Sequence, residues 1–159
     1  MLNNVLNENG FFTSERLSVC DCRSLLIDSQ ALVVNKVIEL LTPEVVKALP
    51  ADWQNIESPE DALIWLQNRI KESVLLAIQL KHSDDIIGFL FIHEGEAGES
   101  CGSLNIGYLI GERYWGQGYA SEVLMALIHY CKSQAKISTL FAGVEADNIA
   151  SINVLEKCG

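Results

Sequence analysis

At 159 residues, 49% of them hydrophobic, the chain is large enough for one packed domain and too apolar to be disordered. A formal net charge of −10 argues against general nucleic-acid binding, which relies on Lys and Arg neutralising phosphates. The same negative field suits a cationic substrate such as an amine. No apolar run approaches the roughly 18 residues of a membrane span, and Met1-Leu2-Asn3-Asn4 lacks the basic start of a secretory signal. The five cysteines (Cys20, Cys22, Cys101, Cys131 and Cys158) are odd in number and lack zinc-ligand spacing. They read as reduced, structural thiols of a cytoplasmic protein without a metal site.

In chain order, Glu15 to Cys22 alternates as a first strand, with Cys20 and Cys22 on one face. Ala31, Val34, Ile38 and Leu41 then recur at helical spacing before Pro43. Ser58-Pro59-Glu60-Asp61 opens a second helix, with Ser58 as N-cap and Asp61 imitating the capping-box acid. Its apolar stripe is Ala62, Leu63, Leu66 and Ile70. Val74 to Leu80 and Ile86 to His93, separated by the polar run 81–85, predict an antiparallel hairpin. A looser turn over Gly95 to Gly102 leads to a third strand, Ser103 to Ile110, whose interior Gly107 signals a bulge or a close approach of backbone. Ala120 to Ala135 is the strongest helical pattern, with Ala120, Val123, Leu124, Leu127, Ile128 and Cys131 on one face. Ser138 to Ala146 alternates as a strand, and Asp147-Asn148 caps a last helix that Gly159 ends. This order predicts a single α+β domain over residues 1–159, built on one mixed sheet.

The segment that carries chemistry joins a strand to the strongest helix: Arg113-Tyr114-Trp115-Gly116-Gln117-Gly118-Tyr119-Ala120. Gly116 and Gly118 let the backbone turn tightly and approach a ligand. The amides from Gln117 to Ser121 enter the first helical turn without internal acceptors, at the positive end of the helix dipole, where phosphate oxygens bind readily. It is not a P-loop, because Tyr119 follows Gly118 where a Lys is required, and Ser121 occupies the third-glycine position of the dinucleotide fingerprint. Two glycines alone are equally compatible with a plain connecting turn.

The pattern Arg113-x-x-Gly116-x-Gly118 resembles the signature of the GNAT superfamily of N-acetyltransferases. The surrounding I-G-Y-L-I-G-E-R-Y-W-G-Q-G-Y-A-S-E is similar to the branch of ribosomal-protein N-terminal acetyltransferases. So are Asn148-x-x-Ser151-x-x-Val154-Leu155-x-x-Cys158-Gly159 and the opening T-S-E-R-L at 13–17. The resemblance implies a mixed, mainly antiparallel sheet flanked by helices. Relatives of this kind continue past the position of Gly159 with two more strands, so the sheet is expected to lack them, and a homodimer that covers the open edge is one consequence.

It also implies acetyl-CoA as co-substrate and a primary amine, on a protein N-terminus or a small molecule, as acceptor. The pantetheine arm would lie along Tyr108, Leu109 and Ile110, whose amides can bind the thioester carbonyl. The pyrophosphate would rest on the amides of Gln117, Gly118, Tyr119, Ala120 and Ser121, with Arg113 adding charge. Ser151 would protonate the leaving thiolate and Asn148 would hold the arm or a water, although both are also ordinary helix-capping residues. The acid tyrosine of many relatives falls at Leu155, which closes that route, and Asn105 stands where many place a carboxylate. Glu94 and Glu145 remain as bases acting through water, and Glu122 reads as structural. Trp53 and Trp65 lie where this branch builds its acceptor pocket but read better as core. Two functions stay open: transfer of acetyl to an amine, and an acyl-CoA-binding module with little turnover.

Overall fold

The computed structural model of the protein describes residues 12–95, 102–134, 137–143 and 148–159. Its centre is the hairpin that the sequence predicts, β3 (Val74–Leu80) and β4 (Ile86–Glu94), extended by β5 (Ser103–Ile110). Most residues of β3 and β4 are buried, including runs of adjacent residues, as strands covered on both faces require. On one side, β2 (Leu17–Asp21) and the short β1 (Phe12–Thr13) continue the sheet; on the other, β6 (Thr139–Ala142) joins β5. All pairings are antiparallel except β5 with β6, so the sheet is mixed and mainly antiparallel, as expected.

Helices cover both faces. Trp65 of α3 (Pro59–Glu72) meets Phe89 and Phe91 edge-on, while Leu124 of α4 (Tyr119–Ser133) faces Ile106. Phe91 and Ile106 belong to opposite faces, because Phe91 pairs with Gly107 and side chains alternate along a strand. The helix α1 (Cys22–Leu40) packs beside α3, and α5 (Ile149–Cys158) beside α4, with a one-turn α2 (Pro43–Val46) between α1 and α3. Trp65 is buried and Trp53 half-buried against it, which fits the core reading of both.

Local chemistry sets the ends of these elements. Ser58 and Asp61 form both bonds of a capping box, at 3.1 and 3.2 Å. Helix α1 begins nine residues before the predicted start, because the Asp21 side chain accepts from the Arg23 amide at 2.9 Å and caps it. A non-helical Ser29 kinks α1, and Ile27 is almost fully exposed, so its first half carries no apolar stripe to read. Cys20 and Cys22 are both buried, but Cys22 opens the helix rather than ending the strand. The described stretch of the sixth strand is Thr139–Ala142; Val144, Ala146 and Asp147 lie outside the described residues, as does most of the 95–102 turn.

Gly107 marks neither a bulge nor a crowded backbone. Its pairing with Phe91 is in register, and an added Cβ would meet only the Phe91 side chain, at 3.8 Å. The irregularity in the sheet falls at Ile78/Gln79 instead. The glycine crowded by backbone is Gly88, where a Cβ would collide with the Leu109 carbonyl. Gly88→Ala is therefore expected to destabilise the protein by about 3 kcal/mol through forced separation of β4 and β5. Gly107→Ala should change stability by less than about 1 kcal/mol. Urea unfolding of the two variants checks the contrast.

Candidate active site

The site grows from the C-terminal end of β5. The Gly111 amide donates to Ile87 at 2.8 Å and the Gly95 amide to Ser103 at 3.0 Å, so odd-numbered residues of β5 direct their backbone groups to β4. Even-numbered residues therefore face β6. That pairing runs from Ser103↔Thr139 to Ile106↔Ala142, and Gly143 is no longer in the strand. Among the described residues, Tyr108 and Ile110 thus present backbone groups to a side with no strand partner. The Ile110 carbonyl takes the indole N–H of Trp115 at 2.7 Å, leaving its amide and both groups of Tyr108. Leu109 differs from the expectation for all three residues, because its carbonyl points to Gly88 and its backbone is committed to β4.

The chain then turns through Glu112–Tyr114 into Gly116 and Gly118, with φ of 73° and 82°. Those angles suit glycine and strain other residues. Space is not the reason at Gly116, where an added Cβ would meet nothing within 4 Å. Gly118 is the N-cap of α4 and offers no side-chain cap. The first intrahelical bond is from Glu122 to the Gly118 carbonyl at 3.0 Å, so the amides of Tyr119, Ala120 and Ser121 have no helical acceptor.

The cation beside this helix start is Arg16, not the predicted Arg113. Arg16 stacks over the Tyr119 ring at 4.3 Å, donates to the Gln117 carbonyl at 3.0 Å, and lies 3.5 Å from where a Gly118 side chain would begin. Arg113 is largely exposed, 3.5 Å from Glu39 of α1 and over the ring of Tyr114. Glu122 anchors Arg16: it accepts from the guanidinium at 2.6 Å, from the Arg16 amide at 2.7 Å and from the Ser14 hydroxyl at 2.7 Å. Burial pushes the Glu122 carboxyl up, but these donors outweigh it and hold the group below the usual carboxylate range. Glu122 is structural, as expected. The clue to Arg16 was present in T-S-E-R-L and S-E, complementary charges whose contact spans 106 residues.

Helix α5 closes the other side. Asn148 caps it by accepting from the Ser151 amide at 3.2 Å, so the capping alternative holds for its side chain. Ser151 accepts from the phenol of Tyr108 at 3.2 Å. Burial pushes the Tyr108 phenol up, partly offset by that bond. The sequence pointed to Tyr108 for its backbone and gave no sign of a role for its hydroxyl. The Cys158 thiol lies 3.7 Å from the Ser121 carbonyl and ties α5 to the start of α4. Leu155 lines a cavity of about 660 Å³ between α4, β6 and α5, beside the strand edge rather than at the glycine turn.

The base candidate among the described residues, Glu94, does not approach this site. Asn105 pairs with His93, whose Nδ1 donates to the Glu72 carbonyl at 2.9 Å. Glu94 pairs with Leu104, four residues from Tyr108 and so about 13 Å along the strand. Glu145 lies outside the described residues. No metal-binding group of His, Cys, Asp or Glu occurs among the described residues, and none of their helices is long and apolar enough to cross a membrane.

Fold and geometry together define an α+β protein in which a glycine turn joins the end of β5 to the start of α4. The family model for the acetyltransferase (GNAT) domain matches residues 30–159, and the chain belongs to that family. It is 33% identical over 81 residues to the uncharacterized N-acetyltransferase p20 of Bacillus licheniformis, an alignment covering 51% of this chain and 44% of that relative. The chain thus matches less than half of that relative's length. Among solved structures it resembles a GNAT-family acetyltransferase from Bacillus anthracis, with TM-score 0.72 and 23% identity over 94% of this chain and 82% of that one. It also resembles the microcin C7 self-immunity acetyltransferase solved with acetyl-CoA and AMP, with TM-score 0.68 and 16% identity over 98% and 84% of the two chains.

The Glu122 contacts have a measurable consequence. A carboxyl held below its unfolded pKa stabilises the fold above that pKa, near 4.3, and the contribution fades as pH falls through the folded value. Glu122→Gln should lose about 1–2 kcal/mol at neutral pH, allowing for solvent screening at Arg16. The gap from the native protein should close below about pH 4, as read by urea unfolding across pH.

Proposed function

We propose that the protein is an acetyl-CoA-dependent N-acetyltransferase, a single domain over residues 1–159, that joins acetyl-CoA and a primary amine in one ternary complex. One observation carries this reading: among the described residues, the end of β5 has no partner on its β6 side, and the glycine turn leads from it into the open amides of the α4 start. Acetyl-CoA suits that combination. Its diphosphate needs donors, and the amides of Gln117, Gly118, Tyr119, Ala120 and Ser121 offer them beside the Arg16 guanidinium. Its pantetheine arm carries amides that can pair with the backbone of Tyr108 and Ile110, in the manner of an added strand. The acetyl-CoA bound to the microcin C7 self-immunity acetyltransferase supports the same co-substrate.

The amides of Tyr108 and Ile110 hold the thioester carbonyl, and their bonds strengthen as it gains charge. Holding amine and thioester together supplies most of the acceleration, because it removes the entropy of their meeting. Ser151 gives a proton to the departing sulfur, and Asn148 acts on it by fixing the first turn of α5. The amine side has no carboxylate at Asn105 and none near Tyr108 among the described residues. A lysine side chain, with a pKa of about 10.4, is almost wholly charged at neutral pH, whereas an α-amine near 8 has a sizeable neutral fraction. The acceptor is therefore the α-amine of a peptide or protein, or a small amine of similar acidity. The likeness of residues 106–122 to the ribosomal-protein N-terminal branch supports the former. The reduced cysteines suit a cytoplasmic location.

The lack of a nearby base among the described residues also favours a second reading, an acyl-CoA-binding module with little turnover. Thiol release from acetyl-CoA, measured over short peptides with free α-amines and a set of small amines, separates the two. Release with at least one acceptor is the expected result, and tight acetyl-CoA binding without release would select the module. Gly118→Trp, which fills the turn, should weaken acetyl-CoA binding at least about tenfold by calorimetry. Unchanged affinity in a folded variant would remove the glycine turn from the binding site.

A further inference from the structure

We propose that Tyr108 supplies the proton that Ser151 hands to the departing sulfur, so that the acid of this site is a phenol–hydroxyl pair rather than Ser151 alone. The inference rests on the transferase reading above. Tyr108 Oη donates to Ser151 Oγ at 3.2 Å, which uses a lone pair of the serine and leaves its own hydrogen free for another acceptor. The two residues come from different elements, and each is fixed. Tyr108 sits on β5 opposite Leu90, so its ring takes the α4–α5 face, and the Ser151 amide is held by Asn148.

The pair answers a problem that a lone serine leaves open. An alkanol is a far weaker acid than a thiol of pKa about 8.5, so a serine that released its proton unaided would leave an alkoxide in a partly buried site. A free phenol, at about 10, is about one and a half pK units above the thiol; burial widens that gap at Tyr108, which nonetheless stays a far stronger acid than an alkanol. As the carbon–sulfur bond breaks, its electron pair stays on sulfur. Ser151 gives its hydrogen to that sulfur and takes the hydrogen of Tyr108. The charge ends on the phenol oxygen, which regains a proton from solvent, where the surplus proton of the amine has gone. Thioester and amine thus become amide and thiol, with every proton accounted for. Among the described residues, the Cys158 thiol is the other titratable group that acts on this phenol, and burial pushes its pKa up. Tyr108 acts through Ser151 and is a positioning and proton-supplying residue.

Tyr108→Phe keeps the ring and removes only the hydroxyl. In thiol-release assays with acetyl-CoA and short peptides bearing free α-amines, kcat should fall about 100-fold while KM for acetyl-CoA stays within about twofold. The solvent deuterium effect on kcat, large in the native protein if two protons move together, should shrink in the variant. A bond that merely packs α5 on the sheet would leave that effect unchanged. A second readout needs no turnover: in protein labelled with ¹³C-tyrosine, the Tyr108 ring signal should shift with CoA and not with desulfo-CoA, which lacks the thiol. Tyr108→Phe with kcat within about threefold of native, or a ring signal that responds equally to both ligands, overturns the proposal. If Tyr108→Phe does not fold, the labelled native protein decides. Native protein that releases no thiol with any acceptor overturns the transferase reading and this proposal together. Active native protein with an equally active variant overturns this proposal alone.

Discussion

Among the described residues the pairing of β5 with β6 ends at Ile106↔Ala142, and the proposed site depends on that limit. Up to Ile106 the even-numbered backbone groups of β5 are spent on β6. Beyond it, Tyr108 and the Ile110 amide have no strand partner on that side among the described residues, and an unpaired buried amide is costly. Such an edge is tolerated where something else supplies the partner. A ligand with its own amides satisfies it as a strand would, and that chemistry distinguishes a pantetheine arm from a bare nucleotide. The glycine turn then follows directly from geometry. The chain leaves β5 at Ile110 and must reverse into α4 within a few residues, and two left-handed residues at Gly116 and Gly118 accomplish it.

What holds the helix start in place comes from the far end of the sequence. The hairpin of β1 and β2 delivers Ser14 and Arg16 to Glu122, and Arg16 to the Gln117 carbonyl and the Tyr119 ring. One carboxylate thus fixes a guanidinium whose remaining donors border the turn. In a chain of net charge −10, a cation placed there also has a long-range role, since an anionic ligand must approach against the field of the protein. Anchoring Arg16 through its side chain and its amide limits the side-chain entropy lost when a ligand engages it.

The local features were legible in the sequence and the long-range ones were not. The Ser58–Asp61 box, the 74–94 hairpin and the apolar face of α4 each depend on residues within a few positions of one another. The first half of α1 escaped because Ile27 points to solvent and Ser29 breaks the helical phase, so no periodicity exists to detect. At the site, motif spacing marked Gly116 and Gly118, while Arg113 stood out only because it precedes them. Its partner proved to be Glu39, 74 residues away. The contact between Tyr108 and Ser151 spans 43 residues and two elements, and no local pattern encodes it. For the same reason, the substitution of Leu155 for a tyrosine suggested that no phenol was available, although one arrives from the sheet.

That arrival changes the balance between the two proton transfers of the proposed reaction. The sulfur side has a hydroxyl pair with a defined donor direction, whereas the amine side has an asparagine at position 105 and exposed groups at a distance. On the proposed reading, with no base near Tyr108 among the described residues, the site takes up the small neutral fraction of an amine that solution already contains. Selection among acceptors then falls to their own acidity before any pocket acts. An α-amine near pKa 8 offers roughly 200 times more neutral form than a lysine near 10.4. On that reading, a preference for N-termini over side chains follows from elementary acid–base chemistry.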